Sequence, residues 1–147
     1  MINQFLTPLA SKDREKVELL SWIFDDNRRI MKRGFRLLTL GWSDGTSFLP
    51  VDFGLLASAK TDKQLQEVNL AIDKRSCGGH RRREAVRKAT DMAITMVKRA
   101  LSRGLKADYI LFDSWFSFLS VIDQIAGLGI HVIYHLKPMP RITYFYN

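Results

Sequence analysis

The residue best placed for chemistry is Asp113, which stands where the apolar run Ala107-Asp-Tyr-Ile-Leu-Phe-Asp113 gives way to Ser114-Trp-Phe116. In open α/β sheets ligands gather beyond the carboxyl ends of strands, so an acid there suits a metal ligand or a general base. The same position suits a side chain that caps the following helix, and position alone leaves both readings open. One carboxylate does not hold the pair of ions that phosphoryl chemistry uses; several must converge on one point. The other acids have simpler explanations. Asp44 belongs to a tight turn, Asp52 reads as an exposed acid on an edge strand, and the pair Asp25-Asp26 as a turn or helix end. The glutamates are Glu15, Glu18, Glu67 and Glu84, none of them C-terminal to Asp113.

A second feature is charge. Between Lys74 and Lys106 stand 11 Lys and Arg residues, opposed only by Asp73, Glu84, Asp91 and Asp108. Arg81, Arg82 and Arg83 fall near the expected start of a helix, where the dipole also favours an anion, and Arg87 and Lys88 follow them. That pattern suits contacts to the phosphates of a nucleic acid; the plain alternative is a solvated polar face whose like charges are screened by water. His131 and His135 lie four apart on an expected strand, a separation of about 13 Å, so they do not form a metal site. Cys77 has no obvious activating partner. Trp42 and Trp115 read as core or rim aromatics rather than base-stacking platforms.

The elements that must position these groups can be read from composition and pattern. The chain has 147 residues, 23 Lys+Arg against 15 Asp+Glu and a net charge of +8, with a pI near 9.9. That is the length of one domain, with 46% hydrophobic and 26% charged residues, ordinary for a globular chain. No apolar run approaches the roughly 18–20 residues that cross a bilayer, and Met1 to Ala10 lacks the pattern of a secretory signal. A single cysteine excludes an internal disulfide and points to a reducing compartment. The basic excess favours polyanionic partners.

Residues 1–33 read as a polar lead-in. Phe35 to Trp42 and Phe48 to Leu56 are β-type runs separated by Asp44-Gly45, a tight-turn signal, and so form an antiparallel hairpin. Pro50 places the second run at an edge or beside a bulge. Residues 59–79 read as a connection with a helical turn near Gln64 to Val68. Ala85, Ala89, Met92, Met96, Val97 and Ala100 recur at helical spacing, and Gly104 supplies the stop. A buried strand to Asp113, a short helix around Leu119 to Ile125 and a strand from Ile130 to Leu136 complete the order. A strand, helix, strand succession of this kind implies parallel pairing with a right-handed crossover, and hence a mixed sheet with helices packed on it.

Three segments together resemble a known family. Gly34-Phe-Arg-Leu-Leu-Thr-Leu-Gly-Trp-Ser-Asp-Gly-Thr-Ser-Phe-Leu-Pro-Val-Asp-Phe53, the Arg81-Arg82-Arg83 helix with Lys88-Ala-Thr90, and Tyr109-Ile-Leu-Phe-Asp-Ser-Trp-Phe116 look like bacterial insertion-sequence transposases of the DDE class, in the branch with a Tyr-Arg-Glu-Lys motif. The resemblance runs from about Lys16 to Asn147. It implies a ribonuclease-H-like catalytic domain in which three acids hold two Mg²⁺ or Mn²⁺ ions for DNA cleavage and strand transfer. It makes Asp113 the second catalytic Asp and a metal ligand.

The resemblance also implies a first Asp at the end of a strand preceding Lys16, yet no acid precedes Asp13, and a third Glu on a helix beyond residue 147. The expectation is therefore a partial α/β fold lacking its first strand, truncated at both ends. Residues 1–33 are then the lead-in, 34–137 the hairpin-helix-strand-helix-strand core, and 138–147 the start of a β-rich insertion. Such a chain is expected to be inactive alone and prone to aggregate. Its expected partner is DNA, bound as a homodimer on paired transposon ends, with no membrane and a cytoplasmic, nucleoid-associated location. The expected DNA contacts are Arg81, Arg82, Arg83, Arg87 and Lys88, and the alternative is a non-catalytic basic module that binds nucleic acid through the face from Arg81 to Lys106.

Overall fold

The structure is a computed structural model that describes residues 17–25, 28–66, 68–69 and 71–135, together with the backbone of 2–8. Its elements are β1 (Ile2–Pro8), β2 (Ser21–Asp25), β3 (Ile30–Ser43), β4 (Phe48–Leu56), α1 (Cys77–Ala85), α2 (Ala89–Ser102), β5 (Tyr109–Phe112), α3 (Leu119–Ala126) and β6 (His131–Tyr134). Short 3-10 turns occupy Thr61–Lys63 and Ser114–Phe116. The expected segment 138–147 lies outside the described residues.

The hairpin forms where the turn residues dictate. The Asp44 carboxylate accepts the amides of Thr46 at 2.9 Å and Ser47 at 2.6 Å, and Gly45 takes the left-handed φ of 95° that a side chain would resist. Antiparallel pairing then runs from Ser43↔Phe48 to Arg36↔Leu56, with a register shift at Leu40/Gly41. There Leu40 faces Asp52 and Gly41 faces Pro50, leaving Val51 as the extra residue of a bulge. Among the described residues β4 pairs only with β3, so Pro50 sits on an edge strand and beside a bulge, as its missing N–H requires.

The lead-in contributes two strands to the same sheet. At Gly34, β3 pairs with Ser21 of β2 on one side and Pro8 of β1 on the other. β2 therefore continues the line of β4, while β1 runs antiparallel to β3 from Ile2↔Leu40 to Pro8↔Gly34. Ile2 also pairs in parallel with Phe112 of β5, and β5 pairs in parallel with β6. The mixed sheet with packed helices is as expected, but the expectation of a missing first strand is corrected: residues 2–8 fill the central place between the hairpin and β5. The segment Ile-Asn-Gln-Phe-Leu-Thr-Pro has little apolar alternation; its strand state comes from the ladder that β3 offers.

The larger core cluster lies on one face of the sheet, and Leu19, Leu20, Phe35 and Ala85 form a second, smaller one. Leu38, Leu40 and Leu56 from the hairpin and Ile110 and Phe112 from β5 pack against Met92, Ala93, Met96, Val97 and Ala100 of α2. Phe116, Val121 and Ile125 close the same cluster. Alternate strand residues face the other way, and there Phe53, Leu55, Tyr109, Leu111 and Ile133 are exposed. The expected single long helix is two. The amide of Ala57 donates to the carbonyl of Ala85 at 2.7 Å, so the strand exit takes the last carbonyl of α1; Lys88 is extended before α2 begins. Gly104 ends α2 with φ of 84°. The expected turn near residues 64–68 is instead the 3-10 turn at Thr61–Lys63.

Asp52 is not the exposed edge acid its position suggested. Its side chain is only 13% exposed and pairs with Arg99 of α2 at 2.7 Å, while Arg99 also pairs with Glu84 of α1 at 2.5 Å. The cluster ties both helices to β4 on the core side. Asp52→Ala leaves the Arg99 charge without one partner and is expected to lower stability in urea unfolding by about 2 kcal/mol; pairing it with Arg99→Met should restore part of that loss. Asp44 gives a pH-dependent counterpart. The Ser47 and Thr46 amides hold its carboxyl below the ordinary value of 3.8, so its contribution is full above that value and fades as pH falls through the lower folded one. Asp44→Ala should therefore melt lower than the parent at pH 7, with the gap closing in strong acid.

Candidate functional site

Asp113 follows directly on β5, in extended backbone, and opens the turn Ser114–Phe116. Its carbonyl accepts the Phe116 amide at 2.9 Å, but its side chain makes no capping bond. Among the described residues the carboxylate accepts a hydrogen bond from the hydroxyl of Ser114, at 3.1 Å. The capping reading therefore does not hold, and the carboxylate stands exposed at the carboxyl end of a central parallel strand. Burial of Phe116, which is 0% exposed, fixes the turn from below. Because Ile2 lies beside Phe112, the rest of β1 runs on past the end of β5, alongside this turn.

Beyond that strand end lies an open cavity of about 500 Å³. Its walls include Arg36 from β3, Arg87 and Lys88 from the break between α1 and α2, Thr90 from the first turn of α2, and Trp115 and Phe118 from the segment after Asp113. The Arg36 guanidinium lies over the Trp115 ring, 5.5 Å from its centroid. Among the described residues no acid lines the cavity. Arg36 was not singled out from sequence; the signal for it is one cation in the otherwise apolar run Phe35 to Leu40. Trp115, read as a core or rim aromatic, lies at the rim with 38% of its surface exposed.

The five basic residues expected to bind DNA divide into two groups. Arg81 donates to the Phe53 carbonyl at 2.8 Å, pairs with Glu84 at 3.1 Å and lies near Asp52 at 3.6 Å. Arg82 pairs with Glu18 at 2.7 Å, and Arg83 donates to the Lys74 carbonyl at 2.6 Å. These three fasten α1 to the hairpin and its flanking loops. They also occupy the later turns of α1 rather than a helix start, so the expected dipole-assisted anion site at Arg81 to Arg83 is corrected. Arg87 and Lys88 form no ion pair among the described residues, and they stand at the start of α2, the longer helix.

The described residues do not fit a two-metal site. No group of three or more His, Cys, Asp or Glu side chains converges among them, and β1, the strand beside Asp113, contains no acid. Asp113 offers one carboxylate, which suits a hard divalent cation only with further oxygen ligands.

No helix among the described residues is long and apolar enough to cross a membrane. No curated protein and no solved structure matches the chain. A family described as DDE superfamily endonuclease matches residues 10–141. That span takes in the hairpin, both basic helices, Asp113 and the parallel pair. Endonucleases of this superfamily act on DNA and use divalent metals. With its mixed sheet, its helices on the core face and an exposed Asp at the end of β5, the chain belongs to the DDE superfamily endonucleases.

Proposed function

We propose that this chain is the DNA-holding catalytic-domain unit of an insertion-sequence transposase, spanning residues 1–147, and that by itself it binds DNA without cutting it. The observation that carries the reading is the exposed, uncapped carboxylate of Asp113 beside a cavity lined by Arg36, Arg87 and Lys88 and by no acid. A nuclease must bring a phosphodiester to its catalytic acid, and unpaired cations next to that acid would do so. Asp113 is the proposed catalytic and metal-ligating residue, with Mg²⁺ or Mn²⁺ as the ion. Because the described residues lack its partner acids, no hydrolytic step is assigned to them.

Within this reading Arg87 and Lys88 are the leading phosphate contacts, since neither is used in an ion pair among the described residues. Arg81, Arg82 and Arg83 add to the local positive field while holding α1 in place. A homodimer acting on paired DNA ends, and a nucleoid-associated location, belong to the same proposal. The non-catalytic reading, a basic module that only binds nucleic acid, is favoured by one specific observation, the absence of acids in β1.

Binding to a labelled DNA duplex should weaken steeply with salt. Arg87→Ala and Lys88→Ala should each lower the slope of log K against log salt by about 1, whereas Asp113→Ala leaves binding in place. A plasmid incubated with the purified chain and Mg²⁺ or Mn²⁺ should stay intact. Cutting that Asp113→Ala abolishes would overturn the binding-only reading, and a salt-insensitive or absent interaction would remove the DNA reading itself.

A further inference from the structure

The cavity beside Asp113 differs from a flat cationic surface in a way that bears on what it holds. A duplex presents phosphates outward and keeps its bases stacked and paired, so it needs a ridge or groove of cations and no aromatic wall. Here the charges surround a concavity of about 500 Å³, within the roughly 300–1,000 Å³ of small-ligand pockets. Two of its walls are exposed aromatic rings, Trp115 and Phe118. Arg36 already lies over the Trp115 ring and extends the flat surface with a planar cation.

Resting on the DNA-binding reading above, we infer that this cavity receives a single unpaired nucleotide unit, with its base against Trp115 and Phe118 and its phosphate at Arg87 and Lys88. Several observations converge on that chemistry. Among the described residues the lining combines three cations with no carboxylate, which favours an anion. Exposed aromatic faces select a planar ring, and stacking of this kind tolerates every base. The main polar groups beyond the cations are the hydroxyls of Thr90 and Ser120, so strong sequence discrimination is not expected. Lys88, whose ammonium group cannot accept a hydrogen bond, makes no side-chain cap at the start of α2, and Thr90 of that first turn lines the cavity. Asp91, on the same turn, does not line it.

Placement adds a consequence. Trp115 is two residues from Asp113, and both are fixed by the same short turn over buried Phe116. A nucleotide seated on Trp115 would hold the strand that carries it next to the Asp113 carboxylate. The nucleotide could belong to a strand or be a free mononucleotide, since the two share the phosphate and the ring.

The test compares three probes on the full chain by fluorescence anisotropy and competition: a labelled oligothymidylate, a labelled duplex of similar length, and unlabelled dTMP as competitor. Trp115→Ala is expected to weaken the single strand about tenfold or more while changing duplex affinity less than threefold, and Trp115→Phe should keep most of the single-strand affinity. Arg87→Ala should weaken both probes. Each variant's melting temperature is compared with the parent, and Phe118→Ala serves as a second aromatic variant should Trp115→Ala fail to fold. Displacement of the strand by micromolar dTMP would support the pocket and assign it to free nucleotides; displacement only by oligonucleotides would support it as a strand site. Equal loss of duplex and single strand in Trp115→Ala, or no loss in either, overturns the inference while leaving DNA binding intact. Absence of binding to both DNA probes by the parent chain overturns the DNA reading on which it rests.

Discussion

Between the hairpin side and the parallel side, the sheet is joined among the described residues through the registered pair Ile2 and Phe112 of β1 and β5. At the seam where Asp113 emerges, side-chain burial adds to this pairing in holding the two halves in register. That task falls to α2. Its apolar stripe, with Met92 and Met96 fully buried, lies against Leu38, Leu40 and Leu56 on one half and Ile110 and Phe112 on the other. Each fully buried apolar side chain of this size contributes about 1.5–3 kcal/mol relative to exposure, so the helix contributes strongly to the join it spans. The position of Asp113 relative to Arg36 is set by this packing.

Much of this arrangement is legible in the sequence, for local reasons. Asp44-Gly45 specifies its turn through two amide bonds and one positive φ. Pro50 forces an edge, and the three- and four-residue spacing of α2 specifies its buried stripe. Other features depend on partners distant in the chain. β1 lacks a regular apolar alternation, and the seven-residue register with β3 makes it a strand. The break before α2 has no Pro or Gly to announce it; it follows from the Ala57 amide taking the Ala85 carbonyl. Asp52 looks like a solvent-facing acid until the register puts it on the same face as Leu40, where α2 brings Arg99 to meet it. Asp113 was visible because a strand end marks itself by the change from apolar to polar; Arg36 and Trp115 were not, since they lie far apart in sequence and meet only across the fold.

Charge density alone overstates how many cations are available to a ligand. The run Arg81 to Arg83 is the most conspicuous basic feature of the chain, yet each of the three finds a carboxylate, a carbonyl or a histidine ring of the same molecule. An arginine held by two or more internal acceptors loses little by staying there and must give up those bonds to reach an outside phosphate. The less conspicuous Arg87 and Lys88, at the break between the two helices, form no ion pair among the described residues. The basic segment thus divides into an inner fastening and cations not used in it.

The sheet face opposite α2 leaves Phe53, Leu55, Tyr109, Leu111 and Ile133 in water. Two such faces attract each other at short range, and what opposes that approach in dilute buffer is the mutual repulsion of molecules that each carry +8. Added salt shortens that repulsion to about 8 Å near physiological ionic strength but leaves the apolar attraction intact. Ionic strength therefore acts on this chain in two ways at once: it screens the basic surface from any polyanion, and it removes the repulsion that keeps the apolar sheet faces of two copies apart.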